Sequence, residues 1–244
     1  MASIRKIPCI VSKVVDHGQQ VYGVTLEPQE RLPRFSAGQF LHFTLDPYDP
    51  AAFWPESRVF SIASSPNREG PIEILYSVKG RYTTRMEQEI QVGKEVWIKL
   101  PYGDFILDDL THPRILFAGG TGISAFSSLL DAIRNAGQKS PVTLVYGIRN
   151  PQLFFYKEVV EALTRMDLCD RVFLFVENGT LETSSSRLCI KSGRIDLDAI
   201  WPEMIRAADT DFYLAGPPAM LSMLEDKLRS KNVDASRIVV DKWE

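Results

Sequence analysis

The feature that most constrains the fold is an apolar run that ends in glycines, "RILFAGG" at 114–120, and leads into a helical pattern at 123–137. An uninterrupted apolar run is typical of a strand buried on both faces, and apolar residues at helical spacing predict an amphipathic helix. Such strands and helices recur to the end of the chain, with further strands predicted at 142–148, 171–177, 211–216 and 237–241 and further helices at 150–166, 196–208 and 217–231. This pattern predicts a doubly wound parallel α/β sheet.

The first 110 residues have a different pattern. They contain six short apolar runs that are separated by Gly, Pro, Asn and Asp, without a long helical pattern. Such spacing is typical of an antiparallel barrel or sandwich. We therefore predict two domains: a six-stranded antiparallel β-barrel over 1–110 and an α/β domain over 111–244.

Composition narrows the choice of partner. Lys and Arg number 28 against 31 Asp and Glu, so the net charge of -3 gives no reason to expect nucleic acid or an anionic membrane. The three cysteines lie far apart without CxxC spacing, which argues against a disulfide framework, a metal site or an iron-sulfur cluster. No signal sequence and no stretch long enough to insert in a membrane is recognised, so we expect a cytoplasmic protein that binds small ligands or proteins.

Two glycine-containing turns in the second half are candidate nucleotide sites. Gly120, Thr121 and Gly122 begin a G-x-G-x-x-A pattern between a strand and a helix, which lets the main chain approach a pyrophosphate. Gly216 and Pro217 follow a later strand, and both turns are expected to line one crevice at the carboxyl ends of the strands. The alternative is that these glycines serve only close packing of helix on strand.

Two stretches of the first half raise the question of an anion site. "RVFSIASSP" at 58–66 is a strand that begins with an arginine, and "VKGRYTTRM" at 78–86 combines cations, hydroxyls and a glycine before a short helix. Both suit a phosphate. The alternatives are an edge strand with an exposed arginine and a solvated basic turn.

In these residues the chain resembles the ferredoxin-NADP reductase family over essentially its whole length. The family's Arg-x-Tyr/Phe-Ser motif is similar to 58–61, and its Gly-x-x-Ser/Thr motif is similar to 80–83. Further similar segments follow in the family's order: "GQF" at 38–40, "PYGDF" at 101–105, "GGTGI" at 119–123, "YGIRN" at 146–150, Gly193-Arg194 and "GPPAM" at 216–220.

The resemblance implies residue roles. Arg58 would pair with the flavin pyrophosphate, Phe60 would pack beside the isoalloxazine or ribityl chain, and Ser61 would meet flavin N5. Trp243 would cover the flavin face and act in catalysis with Phe60 and Ser61; the alternative is an ordinary exposed tryptophan. The residues expected to bind FAD are Arg58, Phe60, Ser61, Tyr76, Lys79, Gly80, Tyr82, Thr83 and Thr84. Those expected to bind NAD(P)H are Gly120, Thr121, Gly122, Arg149, Gly216 and Pro217.

Two positions depart from the family pattern. Ala215 stands where the family usually has a cysteine before Gly-Pro-Pro. Glu177 follows the third strand of the second domain, where NADP-dependent members grip the 2′-phosphate, and a carboxylate repels a phosphate. This favours NADH slightly, although Arg149 and Arg187 remain possible phosphate ligands.

The resemblance implies an NAD(P)H-dependent flavoprotein reductase. Hydride would pass from NAD(P)H to bound FAD between the two domains, and electrons would then reach a separate redox partner such as a ferredoxin-like protein. The alternatives are a reductase of free flavin or another small acceptor, and an electron-transfer or nucleotide-sensing subunit of a larger redox assembly. FMN in place of FAD and the oligomeric state stay open.

Overall fold

The computed structural model describes residues 3–66, 70–182, 185, 187–204 and 209–241. The chain forms two compact units, Met1–Ile106 and Leu107–Glu244, which we call the first and second units. The boundary thus lies after 106, against the predicted 110. Within the described ranges, no helix is long and apolar enough to cross a bilayer.

The first unit is an antiparallel sheet of six strands with the order β4-β3-β6-β1-β2-β5. Its elements are β1 (Arg5–Asp16), β2 (Val21–Pro28), β3 (Phe40–Thr44), β4 (Arg58–Ser61), β5 (Ile72–Ser77), helix α1 (Arg81–Glu89) and β6 (Glu95–Tyr102). The outer strands meet where the Ala63 amide, just beyond β4, donates to the Glu73 carbonyl of β5 at 2.9 Å. The sheet is therefore a nearly closed barrel, which confirms the predicted architecture.

The barrel encloses its own apolar core. Ile7, Cys9 and Val11 are fully buried at alternate positions of β1, because successive side chains of a strand face opposite sides. Met86 and Tyr82 of α1 join the same cluster. The helix is thereby fixed against the barrel, so its first turn is a rigid part of this unit.

The second unit is a sheet of six parallel strands in the order β10-β9-β8-β7-β11-β12, which confirms the predicted doubly wound class. Its elements are β7 (Arg114–Gly119), α2 (Ser124–Ala136), β8 (Val142–Ile148), α3 (Lys157–Arg165), β9 (Arg171–Val176), β10 (Leu188–Ser192), α4 (Leu197–Ile200), β11 (Asp211–Ala215), α5 (Pro218–Ser230) and β12 (Ile238–Val240). Strand order reverses between β7 and β11. In such sheets ligands bind beyond the carboxyl ends of the strands at this switch point.

Three local features of the second unit differ from the sequence reading. The edge strand β10 was not predicted, because "LCIKS" is only half apolar and follows a serine-rich stretch of sequence. The helix expected from 150 begins at Lys157, since Pro151–Leu153 forms a 3-10 turn and Tyr156 has a left-handed backbone. The α4 helix ends at Ile200, and Pro202, which has no N–H, follows in a 3-10 turn.

Candidate functional site

Arg58 begins the edge strand β4 and is held on one side by its own unit. Its guanidinium carbon lies 4.8 Å from the centre of the Tyr82 ring, and its Nη1 donates to the Ser57 carbonyl at 2.8 Å. Its Nη2 donates to a Glu56 carboxylate oxygen at 3.1 Å. A guanidinium has five N–H donors, so these bonds leave donors for an anionic ligand. Arg58 is thus oriented while it remains half-exposed.

Phe60 and Ser61 lie next to each other on β4 and face different surroundings. The Phe60 ring packs against Phe43 and Tyr76, at centroid distances of 6.1 and 6.0 Å. Tyr76 is buried, and its ring stacks on Tyr22 at 5.5 Å. Alternate residues of a strand face opposite sides, so Arg58, Phe60 and Ser61 can contact one ligand only near a strand end or edge. That condition is met, because β4 ends at Ser61 and the chain then turns to pair with β5.

The Ser61 side chain has hydrogen-bonding capacity that the protein leaves unused. The residue is 7% exposed, its hydroxyl bonds no residue that the structure describes, and its oxygen is not among the fully buried atoms without a partner. Such a hydroxyl can donate a hydrogen bond to water or a ligand, or accept one. The position therefore suits a polar atom of a ligand.

Gly80 precedes α1 and stands in open space. Its φ of 169° is extended backbone that any residue adopts, and no atom lies within 4 Å of the position a Cβ would take. Neither backbone strain nor packing within the described chain requires glycine here. The close approach of a ligand to the main chain supplies a reason for it.

The turn around Gly80 is organised by Thr83. Its hydroxyl accepts from the Lys79 amide at 2.8 Å and the Gly80 amide at 3.2 Å, and donates to the Gly80 carbonyl at 3.1 Å. The first N–H groups of α1 point out of the helix and carry partial positive charge. The Lys79 ammonium and the Thr84 hydroxyl have no side-chain partner among the described residues, so both are available to an anion near this turn.

Tyr82 and Arg85 have internal roles. Tyr82 is buried; its hydroxyl donates to the Phe43 carbonyl and accepts from the Leu45 amide, both at 3.1 Å. These bonds fix the Tyr82 ring, against which the Arg58 guanidinium packs. Arg85 bonds Asp46 at 2.5 Å and Glu89 at 2.6 Å. It also lowers the pKa of the Asp46 carboxyl. Two carboxylates therefore already pair with Arg85, the last cation of "VKGRYTTRM", which leaves it less available to a phosphate than Arg58.

The two glycine turns of the second unit pack main chain against main chain. A Cβ on Gly122 would lie 2.4 Å from the Ala215 carbonyl oxygen, and one on Gly216 would lie 3.0 Å from the Gly119 amide nitrogen. Packing thus accounts for these glycines. Gly120 differs: its φ is +52°, and apart from its chain neighbours no atom of the described residues lies within 4 Å of a Cβ there. The two turns contact each other at the switch point, and the main chain of Gly120 borders open space there.

The amino terminus that follows this turn is open to an anion. The 3-10 turn Gly120–Ile123 runs into α2 without a side-chain cap. The buried Tyr146 of β8 donates to the Gly120 carbonyl at 3.2 Å, and Ser124 donates to the Thr121 carbonyl at 2.8 Å. Both bonds engage carbonyls, and the first N–H groups of a helix point outward, which suits a phosphate. The sequence analysis did not predict a role for Tyr146. Its only indication in the sequence is a tyrosine hydroxyl within a mostly apolar strand.

The carboxyl ends of β8, β9 and β10 bring three charged residues to one edge. Arg149 follows β8, and its carbonyl accepts from the Asn178 amide beyond β9 at 2.8 Å. Glu177 pairs with Arg194 at 3.5 Å. Arg187 instead precedes β10 and pairs with Asp167 at 2.9 Å. Arg187 was wrongly considered as a phosphate ligand, because it lies at the amino ends of these parallel strands, away from the crevice.

Asp241 is a further candidate that sequence reasoning missed. It directly follows β12, and its amide donates to the Leu214 carbonyl of β11 at 2.8 Å, one residue before Ala215. The residue is 6% exposed, and burial raises the pKa of its carboxyl to about 7. Its carboxyl has no hydrogen-bond partner among the described residues. Trp243, the predicted aromatic cover, lies outside the described residues.

Comparison with known proteins bears on both units. Residues 116–226 match the family of oxidoreductase NAD-binding domains. The chain is 25% identical, over 94% of its length, to a flavohemoprotein of Deinococcus radiodurans, and 27% identical, over 77%, to the reductase component of propane 2-monooxygenase from Rhodococcus jostii. It resembles the flavohem-like FAD/NAD-binding domain of nitric oxide dioxygenase from Vibrio cholerae, with a TM-score of 0.76, 20% identity, and coverage of 96% of this chain and 97% of that one.

Residues 116–226 therefore carry an oxidoreductase NAD-binding domain, and these likenesses support the resemblance to the ferredoxin-NADP reductase family that the motifs predict. It spans just over half the length of these curated relatives, 57% of the flavohemoprotein and 51% of the reductase component.

Proposed function

We propose that the chain is an NAD(P)H-dependent flavoprotein reductase that binds FAD on the first unit and NAD(P)H on the second. The observation that carries this proposal is the set of groups around β4 and the start of α1 in the first unit. There, an oriented arginine with spare donors, an open glycine at a helix amino terminus and a hydroxyl with no partner among the described residues are all found on β4 and at the start of α1. A dinucleotide with a polar ring system uses all three.

In the first unit, each group has a role that its surroundings support. Arg58 and the first turn of α1, with Lys79 and Thr84, bind the pyrophosphate through charge-assisted hydrogen bonds. Phe60, packed on the buried Tyr76, offers apolar ring surface to the isoalloxazine, and the Ser61 hydroxyl would bond its N5. The chemistry that bound FAD supplies is hydride uptake from reduced nicotinamide and onward release of electrons. Catalysis by the protein is then mainly orientation.

In the second unit, the main chain of the turns at Gly120–Gly122 and Gly216–Pro217 binds the pyrophosphate of the dinucleotide. The Thr121 side chain adds a hydroxyl to this contact. Arg149 extends this surface at the end of β8. We propose NADH as the preferred form, because the Glu177 carboxylate accepts from ribose hydroxyls and repels a 2′-phosphate. The preference is slight, since Arg194 neutralises part of that charge at 3.5 Å.

For the acceptor, we propose a separate redox protein. The support is the likeness to the reductase component of a monooxygenase and to the electron transfer component of anthranilate 1,2-dioxygenase from Acinetobacter baylyi. The second candidate is an electron-transfer unit within a larger redox assembly, which the 57% coverage of the flavohemoprotein favours.

The test is reconstitution with FAD followed by oxidation of NADH and NADPH with a panel of one- and two-electron acceptors. Protein that stays colourless after reconstitution would end the proposal. Glu177→Gln should lower the NADH-to-NADPH ratio of kcat/KM by about threefold to tenfold, on the order of 1 kcal/mol for one charge near a phosphate. Glu203→Gln, which removes an acid paired with Arg171 at 3.1 Å, is the matched control and should leave the ratio unchanged.

A further inference from the structure

Glu56 lies just before β4, and two arginines share its carboxylate. Its Oε1 is 3.1 Å from Nη2 of Arg58 and 2.9 Å from Nη2 of Arg81, and its Oε2 accepts from the same Arg81 nitrogen at 3.1 Å. Arg58 begins β4 and Arg81 begins α1. The carboxylate therefore bridges the two elements that carry the proposed pyrophosphate site.

The two arginines hold the Glu56 carboxylate in the way that they would hold an anionic ligand. Two guanidinium groups converge on one acid, and carboxylates and phosphates use the same donors of arginine. An incoming pyrophosphate must compete with Glu56 for these donors, and it meets the like charge of the carboxylate at close range. A site selected only for tight binding has no use for an acid at this position.

We propose that Glu56 is a built-in competitor for the FAD pyrophosphate, which lowers the affinity of the first unit and keeps its flavin exchangeable. The inference rests on the proposed binding of FAD. The two arginines have different parts in the exchange. Arg58 stays in place on Tyr82 and the Ser57 carbonyl, whereas the Arg81 side chain, 85% exposed, is free to leave the carboxylate for the phosphate.

The expected size follows from the exposure of the groups. Exposed ion pairs are weak individually, each changing an equilibrium constant by less than about tenfold. Glu56→Gln removes the charge while it keeps the length and shape of the side chain. We expect the Kd for FAD to fall by about threefold to tenfold, with slower FAD release, and the difference to shrink at about 1 M salt because exposed charges are then screened.

The experiment is titration of apoprotein with FAD, followed by flavin fluorescence, for wild type and Glu56→Gln at low and high salt. Glu30→Gln is the matched control, because Glu30 pairs with Arg5 at 2.6 Å in the same unit and is similarly exposed. The control should bind FAD as wild type does. Glu56→Asp, which keeps the charge and shortens the reach, should give a smaller decrease in Kd and serves if the first variant does not fold.

Two outcomes overturn the inference. A higher Kd in Glu56→Gln means that the carboxylate positions Arg58 for phosphate, and a Kd within about twofold of wild type means that it does not compete. If the wild-type protein itself takes up no FAD, the proposed function fails and the inference fails with it. That failure is recognised from the wild type alone, before any variant is compared.

Discussion

The two candidate anion sites differ in what forms them: side chains in the first unit and main-chain turns in the second. In the first unit, half-exposed side chains such as Arg58, Lys79 and Thr84 surround an open glycine. In the second unit, the turns at Gly119–Gly122 and Ala215–Pro217 pack main chain on main chain, and the acid nearby is buried. Changes in the first site should therefore alter binding without unfolding the protein, whereas changes in the second should alter folding itself.

The largest effect is expected from the buried charge of Asp241. Its pKa is raised from the ordinary 3.8 to about 7, so the folded state holds the proton more tightly than the unfolded state. Stability from this group is full below about pH 4 and is lost as pH rises to 7. Between pH 4 and 8, the unfolding free energy of Asp241→Asn should gain roughly 4 kcal/mol on wild type, measured by urea unfolding.

The control for that prediction is Asp234→Asn. Asp234 is exposed, and hydrogen bonds from the Ser236 amide and hydroxyl lower its pKa. Its stabilising effect is present above the unfolded pKa and is lost as pH falls, so removal of the charge should change the slope in the opposite sense. Equal slopes for Asp241→Asn and wild type would show that Asp241 is ionised without penalty.

Gly122→Ala should be next in size. The added Cβ would meet the Ala215 carbonyl oxygen at 2.4 Å, so the two turns must separate, at a cost of about 3 kcal/mol in unfolding free energy. NADH binding should weaken as well. Gly137→Ala is the matched control: it also replaces a glycine of this unit, at φ +63° in open space, and should cost only about 1 kcal/mol.

Gly80→Ala separates the two kinds of site most directly. Because the φ is extended and the space is empty, the variant should unfold within about 0.5 kcal/mol of wild type. FAD affinity should nevertheless fall by about tenfold, since the methyl group occupies the space proposed for the pyrophosphate. Unchanged FAD affinity with unchanged stability would remove Gly80 from the site.

The smallest effect is expected for Ser61→Ala. Loss of one hydrogen bond to the flavin should slow NADH-dependent turnover by about threefold to tenfold, as a net bond of about 1 kcal/mol predicts. Stability should not fall, because the hydroxyl has no partner among the described residues. Ser12→Ala removes an exposed hydroxyl of the same unit and should leave turnover unchanged. A loss of stability in Ser61→Ala with normal turnover would contradict the proposed contact.

Local pattern was sufficient for much of this molecule. The change from short runs to alternating strands and helices predicted both folds, and the glycines at 119–122 and 216 predicted adjacent turns. It failed where the outcome depended on partners distant in the chain. Arg85 is a plausible phosphate ligand until Asp46, 39 positions away, neutralises it. Arg187 is plausible until strand polarity puts it at the wrong end of β10.

The sequence by itself determined the class of each unit and the segments that carry chemistry, because periodicity and turn residues act within a few positions along the chain. Tertiary structure alone decided which charges are free, which hydroxyls are satisfied and which acids are buried. Glu56 between two arginines and the buried Asp241 at the end of β12 show why. The energy of a charge depends on its neighbours in space and on its exposure to water, and neither quantity is local in sequence.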